Sequence, residues 1–430
     1  MQRPSDVLGK ELLCYKRGLA NMFPDYPLDF STELGDIGWF GRDGQFIRLF
    51  NCFEDSHRNN SGIPPNFVCL HIPDDMKVVV ENDLDSGEIL CSPETIVSSV
   101  QDAEKPSETI IKSYTIEPCD PTNPSPRGII PQYPATVQHP KEKWAFLMAQ
   151  FPARRRYIKP NDLIHPYIIA YRESWFTLSW QKHHRLHRDD FIFVSGQVET
   201  RAWALGISQR KESVFTLEGE LTEKAVRFEN EFPNDDCDAR AGPDRPEIRD
   251  NLGKMMRYNP FQDQSIFLNF FKARTRLIGP AKISAMSGPP SFSENQDHDV
   301  NTSMTSIIDP ALEYILEVSE CEVAVAGDIE IYHLLQELPW PDDLSTFLHE
   351  LSPKVVCESV VGVRYGRFAL DSEAADTTKS IHILDGIDVP PDRSDQQNSI
   401  TPSGVMRDHA YPCHPRPTFE SMPSHSLMVH

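Results

Sequence analysis

The residues able to do chemistry are scattered along this chain, and the densest group of them is Lys182-His183-His184-Arg185-Leu186-His187-Arg188. On a helix, His183 and His187 would share one face, a spacing that can begin a zinc site. Zinc also needs a third ligand and a carboxylate behind it, whereas Lys182, Arg185 and Arg188 would repel a cation. A solvated cationic helix end is the stronger reading, because positive charge favours a helix C-terminus. His183 and His187 are the candidate ligands, and no metal or other cofactor is expected.

Arg154-Arg155-Arg156 reads as a basic loop and, with these histidines, makes residues 141–190 locally basic. A nucleic-acid or anion patch is conceivable there, with Trp175 or Trp180 as a stacking partner. The helical spacing of Trp175 fits core packing better. Trp39, Trp144, Trp203 and Trp340 could line a pocket, although large aromatics beside strands are core by default. The ligand-binding candidates are therefore Trp175, Trp203, Arg154, Arg155 and Arg156.

Catalytic residues cannot be assigned. Gly206-Ile207-Ser208-Gln209-Arg210 has the serine of a nucleophile elbow but lacks the second glycine. Asp189-Asp190, Asp235-Asp236 and Asp342-Asp343 are adjacent in loops, which does not place two carboxyls across a cleft. Phosphate-cradling loops and kinase, zincin and EF-hand patterns are absent.

The elements that would have to position these groups follow from periodicity. Val7 to Tyr15 suits a short helix. Asp43-Gly44 lies between two β-rich runs, Gly35–Phe40 and Phe46–Asn51, and tolerates the positive φ of a tight hairpin. Short strands are expected at Val68 to Ile72 and Met76 to Val80. Trp144 to Phe151 is an apolar run of buried-strand length, and Ile164, Ile168, Tyr171, Trp175 and Leu178 mark the main helix. Strands are expected from Phe191, through Ala202 to Ile207, at Ser213 to Leu217, and from Phe267 to Ile278 as a half-exposed strand. A polar loop is expected over Asn230 to Arg249. Ile308 to Val318 reads as helix, Cys321 to Ala326 as strand, the segment after Pro341-Asp342-Asp343 as a short helix, and Val355 to Val363 as strand.

The chain has 430 residues, a hydrophobic share of 39% and 36 prolines, so it can build a core while leaving long segments outside it. The expected organisation is an N-terminal hairpin module (1–92), a Pro/Ser-rich linker or loop (93–140), a β-rich central domain with one main helix (141–288), a linker (289–305), a small α/β closing unit (306–370) and a disordered tail (371–430). A net charge of -22 repels phosphate backbones and anionic lipid. No run of about 18 apolar residues suits a membrane span. The first residues, with Arg3, Asp6, Lys10 and Glu11, lack the apolar stretch of a secretion signal. Nine cysteines in no Cys-x-x-Cys pair read as thiols of a reducing compartment. A cytoplasmic or nuclear protein that is not secreted is expected, with no membrane partner and nucleic acid disfavoured.

Gly35-Asp36-Ile37-Gly38-Trp39-Phe40 with Gly44-Gln45-Phe46-Ile47-Arg48-Leu49-Phe50-Asn51 resembles the opening of a lineage-restricted family of uncharacterised proteins from mushroom-forming (basidiomycete) fungi. Phe146-Leu147-Met148, the Tyr167 to Trp175 helix and Phe191 to Ala204 are similar to the middle of that family. Ile307 to Glu317 and Val323-Ala324-Val325-Ala326-Gly327-Asp328 are similar to its closing segment, departing from it at Ala326-Gly327 where a polar pair would stand. The resemblance spans residues 7–335 with gaps, rests on hairpin glycines and core aromatics, and implies no activity.

The expectation is an α+β fold of antiparallel β-hairpins with a few packed helices and long loops. Its function would be a non-enzymatic intracellular interaction or regulatory role with another protein as partner. The alternatives are a hydrolase with dispersed catalytic residues and nucleic-acid binding through 154–188.

Overall fold

A computed structural model of the chain describes residues 2–24, 32–55, 59, 62–73, 78–101, 110–115, 128–131, 135–159, 162–210, 213–218, 227–230, 237–242, 264–276, 307–336 and 338–369. Met1–Asp376 forms one unit by its internal contacts. The expected linker 289–305, the expected tail 371–430 and the pair Asp235-Asp236 lie outside the described residues.

In chain order the elements are α1 (Pro4–Glu11), β1 (Leu19–Ala20), β2 (Asp36–Phe40), β3 (Phe46–Asn51), β4 (Val78–Leu84), β5 (Glu88–Cys91), β6 (Ile96–Gln101), β7 (Ile110–Thr115), β8 (Ala135–Gln138), β9 (Lys143–Ala149), β10 (Ala153–Ile158) and α2 (Ile164–Gln181). There follow β11 (Ile192–Thr200), β12 (Trp203–Gln209), β13 (Val214–Glu218), β14 (Arg227–Asn230), β15 (Cys237–Gly242), β16 (Gln264–Thr275), α3 (Asp309–Val318), β17 (Val323–Gly327), α4 (Asp328–Leu335), α5 (Leu344–Leu351), β18 (Val355–Val360) and β19 (Val363–Phe368). The fold is α+β, as the sequence implied.

Among the described residues the strands form three sheets. A ten-stranded sheet runs β18-β19-β17-β16-β11-β10-β4, with β1 on β16 and the β2–β3 hairpin on β11. A four-stranded sheet runs β15-β12-β9-β5, and a five-stranded one β14-β13-β8-β6-β7. Among the described residues all pairings are antiparallel except β17 with β19. The ten-stranded sheet takes strands from all three expected folded units, so the boundaries at 140 and 305 do not separate sheets.

The apolar run of β9 explains how the sheets stack. Side chains alternate across a strand, and here both sides are interior. Ala145, Leu147 and Ala149 join α1, Val198 of β11 and Phe267 of β16 in one core. Trp144, Phe146 and Met148 join Val97, Val137, Phe215 and Leu217 in another. The four-stranded sheet is thus the middle layer of three. A third core packs Leu268 and Phe270 of β16 under α3, α4 and α5 through Leu312, Ile315, Ile331 and Leu348.

Several expectations need correction. β16 is buried along Gln264 to Ala273, with only Arg274 and Thr275 half-exposed, because helices cover one side and the second sheet and α2 the other. Val68–Ile72 forms no strand; Leu70 N–H donates to Cys52 O and Val68 O accepts from the Tyr167 hydroxyl instead. The expected linker 93–140 contributes three strands of the five-stranded sheet, and the expected polar loop 230–249 contains β15. Val355–Val363 is a hairpin broken at Val361-Gly362, where both residues take positive φ. α4 had no counterpart in the sequence reading.

Candidate functional site

Arg154, Arg155 and Arg156 do not form a basic loop. They lie in β10 between β4 and β11, where register pairs Arg154 with Glu199, Arg155 with Val198 and Arg156 with Gln197. Alternation sends Arg154 and Arg156 to one face and Arg155 to the other. Arg156 meets Glu199 at 3.3 Å, and Arg155 meets Glu81 at 3.8 Å while donating to Lys16 O. The triplet is split and partly neutralised, so it offers no continuous surface to a phosphate backbone.

The two tryptophans are buried core residues with different neighbours. Trp175 is caged by Phe50, Tyr167 and Phe191 at centroid distances of 6.2–6.5 Å. Trp203 packs over Gly242, whose absent Cβ would sit 2.5 Å from the indole, and its Nε1 reaches Gln264 Oε1 at 3.4 Å. Ser208 lies near the end of β12, its Oγ accepting from Ser213 Oγ at 2.6 Å and from Arg210 N–H. Asp189 accepts from the Thr275 N–H and hydroxyl, and Asp343 caps α5 through Thr346.

His183 and His187 are not on one helix face, because α2 stops at Gln181. The stop is a Schellman turn: His183 N–H donates to Trp180 O and His184 N–H to Ser179 O. His183 occupies the left-handed position, φ 63°, which normally takes glycine. His187 Nδ1 caps the next 3₁₀ turn by accepting from Asp189 N–H. Among the described residues no three His, Cys, Asp or Glu side chains are gathered as a metal would need.

Sequence reasoning missed three buried carboxyls. Asp328, at the junction of β17 and α4, accepts from Asn269 Nδ2 (2.8 Å), Phe270 N–H (3.0 Å) and Ile329 N–H (2.9 Å). Asp36, in β2, accepts from Asn51 Nδ2 (2.7 Å) and Glu33 N–H and pairs with Arg48 at 3.0 Å. Glu199, in β11, is bridged to Arg156 and to the amide of Gln197. Burial is the main cause that lifts each carboxyl to about 7, against the opposing pull of these donors and cations. Beside Asp328, Glu330 Oε2 accepts from Gly327 N–H. Glu330 Oε1 lies 2.9 Å from His165 Nε2, off the line of a hydrogen bond. The sequence signal was an acid set between two apolar elements, Val323–Gly327 and Ile329–Leu335. These groups spend their lone pairs on internal donors, so they tie elements together.

The surface beyond the end of α2 is different. The buried side of α2 carries Tyr167, Ile168, Trp175 and Leu178, Tyr171 is half-buried, and Trp180 falls outside, 55% exposed. Its ring meets Phe176 edge-on at 5.9 Å, and the Arg188 guanidinium lies 4.5 Å from the centre of Phe176. In the segment that follows, Gln181, His183, Arg185, His187 and Arg188 are exposed, with Arg188 paired to Glu173 at 2.9 Å, while His184 is held inward against Trp39 at 4.7 Å. An exposed indole followed by a basic segment is thereby presented at the negative end of the α2 dipole. No protein-family model, curated protein or solved structure matches the chain.

Proposed function

We propose that this chain is a non-enzymatic interaction or regulatory protein acting inside the cell, and that it engages an acidic segment of a protein partner through the end of α2. The observation that carries the reading is Trp180, exposed at the end of α2 and followed by the exposed residues His183, Arg185, His187 and Arg188. Tryptophan and arginine are the residues most enriched at binding hot spots. A basic segment, Lys182 to Arg188, on a chain of net charge -22 gives an acidic partner a local attraction that the whole molecule would deny it.

The test is proximity labelling with the full chain against its Trp180→Ala and Arg185→Glu variants. Loss of the same labelled proteins from both variants is expected, and unchanged labelling in both overturns the reading. A single-stranded oligonucleotide is the companion probe. Tight, steeply salt-dependent binding abolished by Arg185→Glu would replace the protein partner with nucleic acid.

A further inference from the structure

Cys321 precedes β17, and Cys357 lies in β18, the edge strand of the ten-stranded sheet. Between them stands Gly366 of β19, paired in register with Cys357 on one side and with Ala324 on the other. Cross-strand partners project to the same face, so Cys357 and the bare α-carbon of Gly366 share a side of the sheet. A Cβ on Gly366 would lie 3.4 Å from Cys321 Sγ. The missing side chain of Gly366 leaves open the space between the two side chains. Cys357 is exposed and Cys321 is buried; both are free thiols in this structure.

We infer that Cys321 and Cys357 are a redox-active pair that closes to a disulfide under peroxide. The thiolate of Cys357, within reach of solvent, attacks hydrogen peroxide: the S–O bond forms, the O–O bond breaks, and hydroxide leaves and is protonated to water. Cys321 Sγ then attacks the Cys357 sulfenic sulfur. The S–S bond forms, the S–O bond breaks, and the departing oxygen takes the Cys321 proton as a second water. Two thiols lose two electrons and two protons, and one peroxide becomes two waters. Cys321 is buried where Cys357 is exposed, which assigns it the resolving role, and burial also pushes its thiol up to about 11. The exposed thiol meets the oxidant first.

The bond would act where the sheet is weakly held. The β18–β19 hairpin joins β17 through two registered residue pairs, Val323 with Tyr365 and Ala324 with Gly366. A Cys321–Cys357 bridge would staple that hairpin to the strand that leads into α4.

The test uses the full chain, treated with hydrogen peroxide, blocked with N-ethylmaleimide and mapped by mass spectrometry without reduction. A peptide pair joined through Cys321 and Cys357, two hydrogens lighter and released by dithiothreitol, is expected. Oxidation should raise Tm by about 3 °C. In Cys321→Ser the stranded sulfenic acid of Cys357 should be trapped by dimedone; Cys357→Ser, at an exposed position, should fold and show neither product. Alkylation of both cysteines after peroxide has oxidised other thiols of the chain overturns the inference, as does Cys357 joined to any other cysteine.

Discussion

Asn269 and Asp328 face each other at 2.8 Å with both side chains wholly buried. No Cβ would fit on either glycine beside the amide: one on Gly18 would lie 2.7 Å from Asn269 Nδ2, and one on Gly196 would lie 2.8 Å from its Oδ1. Gly18 N–H in turn donates to the Tyr332 hydroxyl of α4. One carboxyl thus fixes β16, the turn before β1 and the start of α4 together, and its protonation becomes part of the fold's stability.

Stability should fall as pH rises from about 5 to 8. Asp36, Glu199 and Asp328 are each lifted to about 7 in the folded chain, while unfolded carboxyls titrate near 4. Between these values the native state holds protons that the unfolded state has lost. The contribution is fully present below pH 4 and disappears through pH 7, at up to about 1.4 kcal/mol per pH unit for each group. Asp328→Asn should flatten urea midpoints measured from pH 5 to 8. Its new amide can still accept from Phe270 and Ile329 N–H, and Asn269 can turn its unpartnered Oδ1 toward the added NH₂. Asp328→Ala, which strands three donors, should cost about 3 kcal/mol or more. A pH profile unchanged in Asp328→Asn would remove this carboxyl from the account.

Asn51→Ala should destabilise by about 2 kcal/mol. Asn51 Nδ2 donates to Leu34 O and to Asp36, its Oδ1 accepts from Phe53 N–H, and its own N–H goes to Asn59. Gly35 beside it has φ 81°, and a Cβ would lie 2.3 Å from the Phe53 ring, so Gly35→Ala should be at least as damaging. Guanidinium unfolding of both variants checks the pair; a midpoint shift near zero in either breaks the link between this motif and hairpin geometry.

The β2–β3 hairpin was legible because Asp43-Gly44 and its flanking β-rich runs are local signals, and α2 because its stripe repeats every three or four residues. The layering was not. Trp144 and Leu147 look alike in a sequence, yet they enter different cores, and only pairing with β12 decides which. The long-range donors to Asp328 escaped for the same reason: Asn269 lies 59 residues away, and no spacing rule connects them. Arg154–Arg156 misled because a run of charge reads as surface, whereas a strand distributes it across two faces.

Gly206→Ala should disturb the middle layer. Gly206 pairs with Phe146 in the β9–β12 register, and an added Cβ would lie 2.1 Å from that ring. Phe146 is held by Trp144 and Phe215 on its other sides, so it cannot yield. A loss of about 2–3 kcal/mol is expected. Phe146→Ala alone should cost about 3–5 kcal/mol. In the double variant the new methyl has space, so the combined cost should be smaller than the sum of the two singles; strict additivity in thermal unfolding would refute this packing.

His183→Gly should stabilise the chain. His183 holds the left-handed C′ position of the α2 Schellman turn at φ 63°, where a Cβ is penalised by roughly 1 kcal/mol and glycine is not. Glycine also gains freedom in the unfolded chain, which offsets part of the benefit, so a net gain of about 0.5 kcal/mol is expected from urea unfolding. The proposed interface makes a second demand on the same variant: without the imidazole beside Trp180, labelling of an acidic partner should weaken while stability rises. A variant that is less stable would contradict the turn geometry. One that is more stable with labelling undiminished would show that His183 lies outside the contact, leaving Trp180 and Arg185 to carry it.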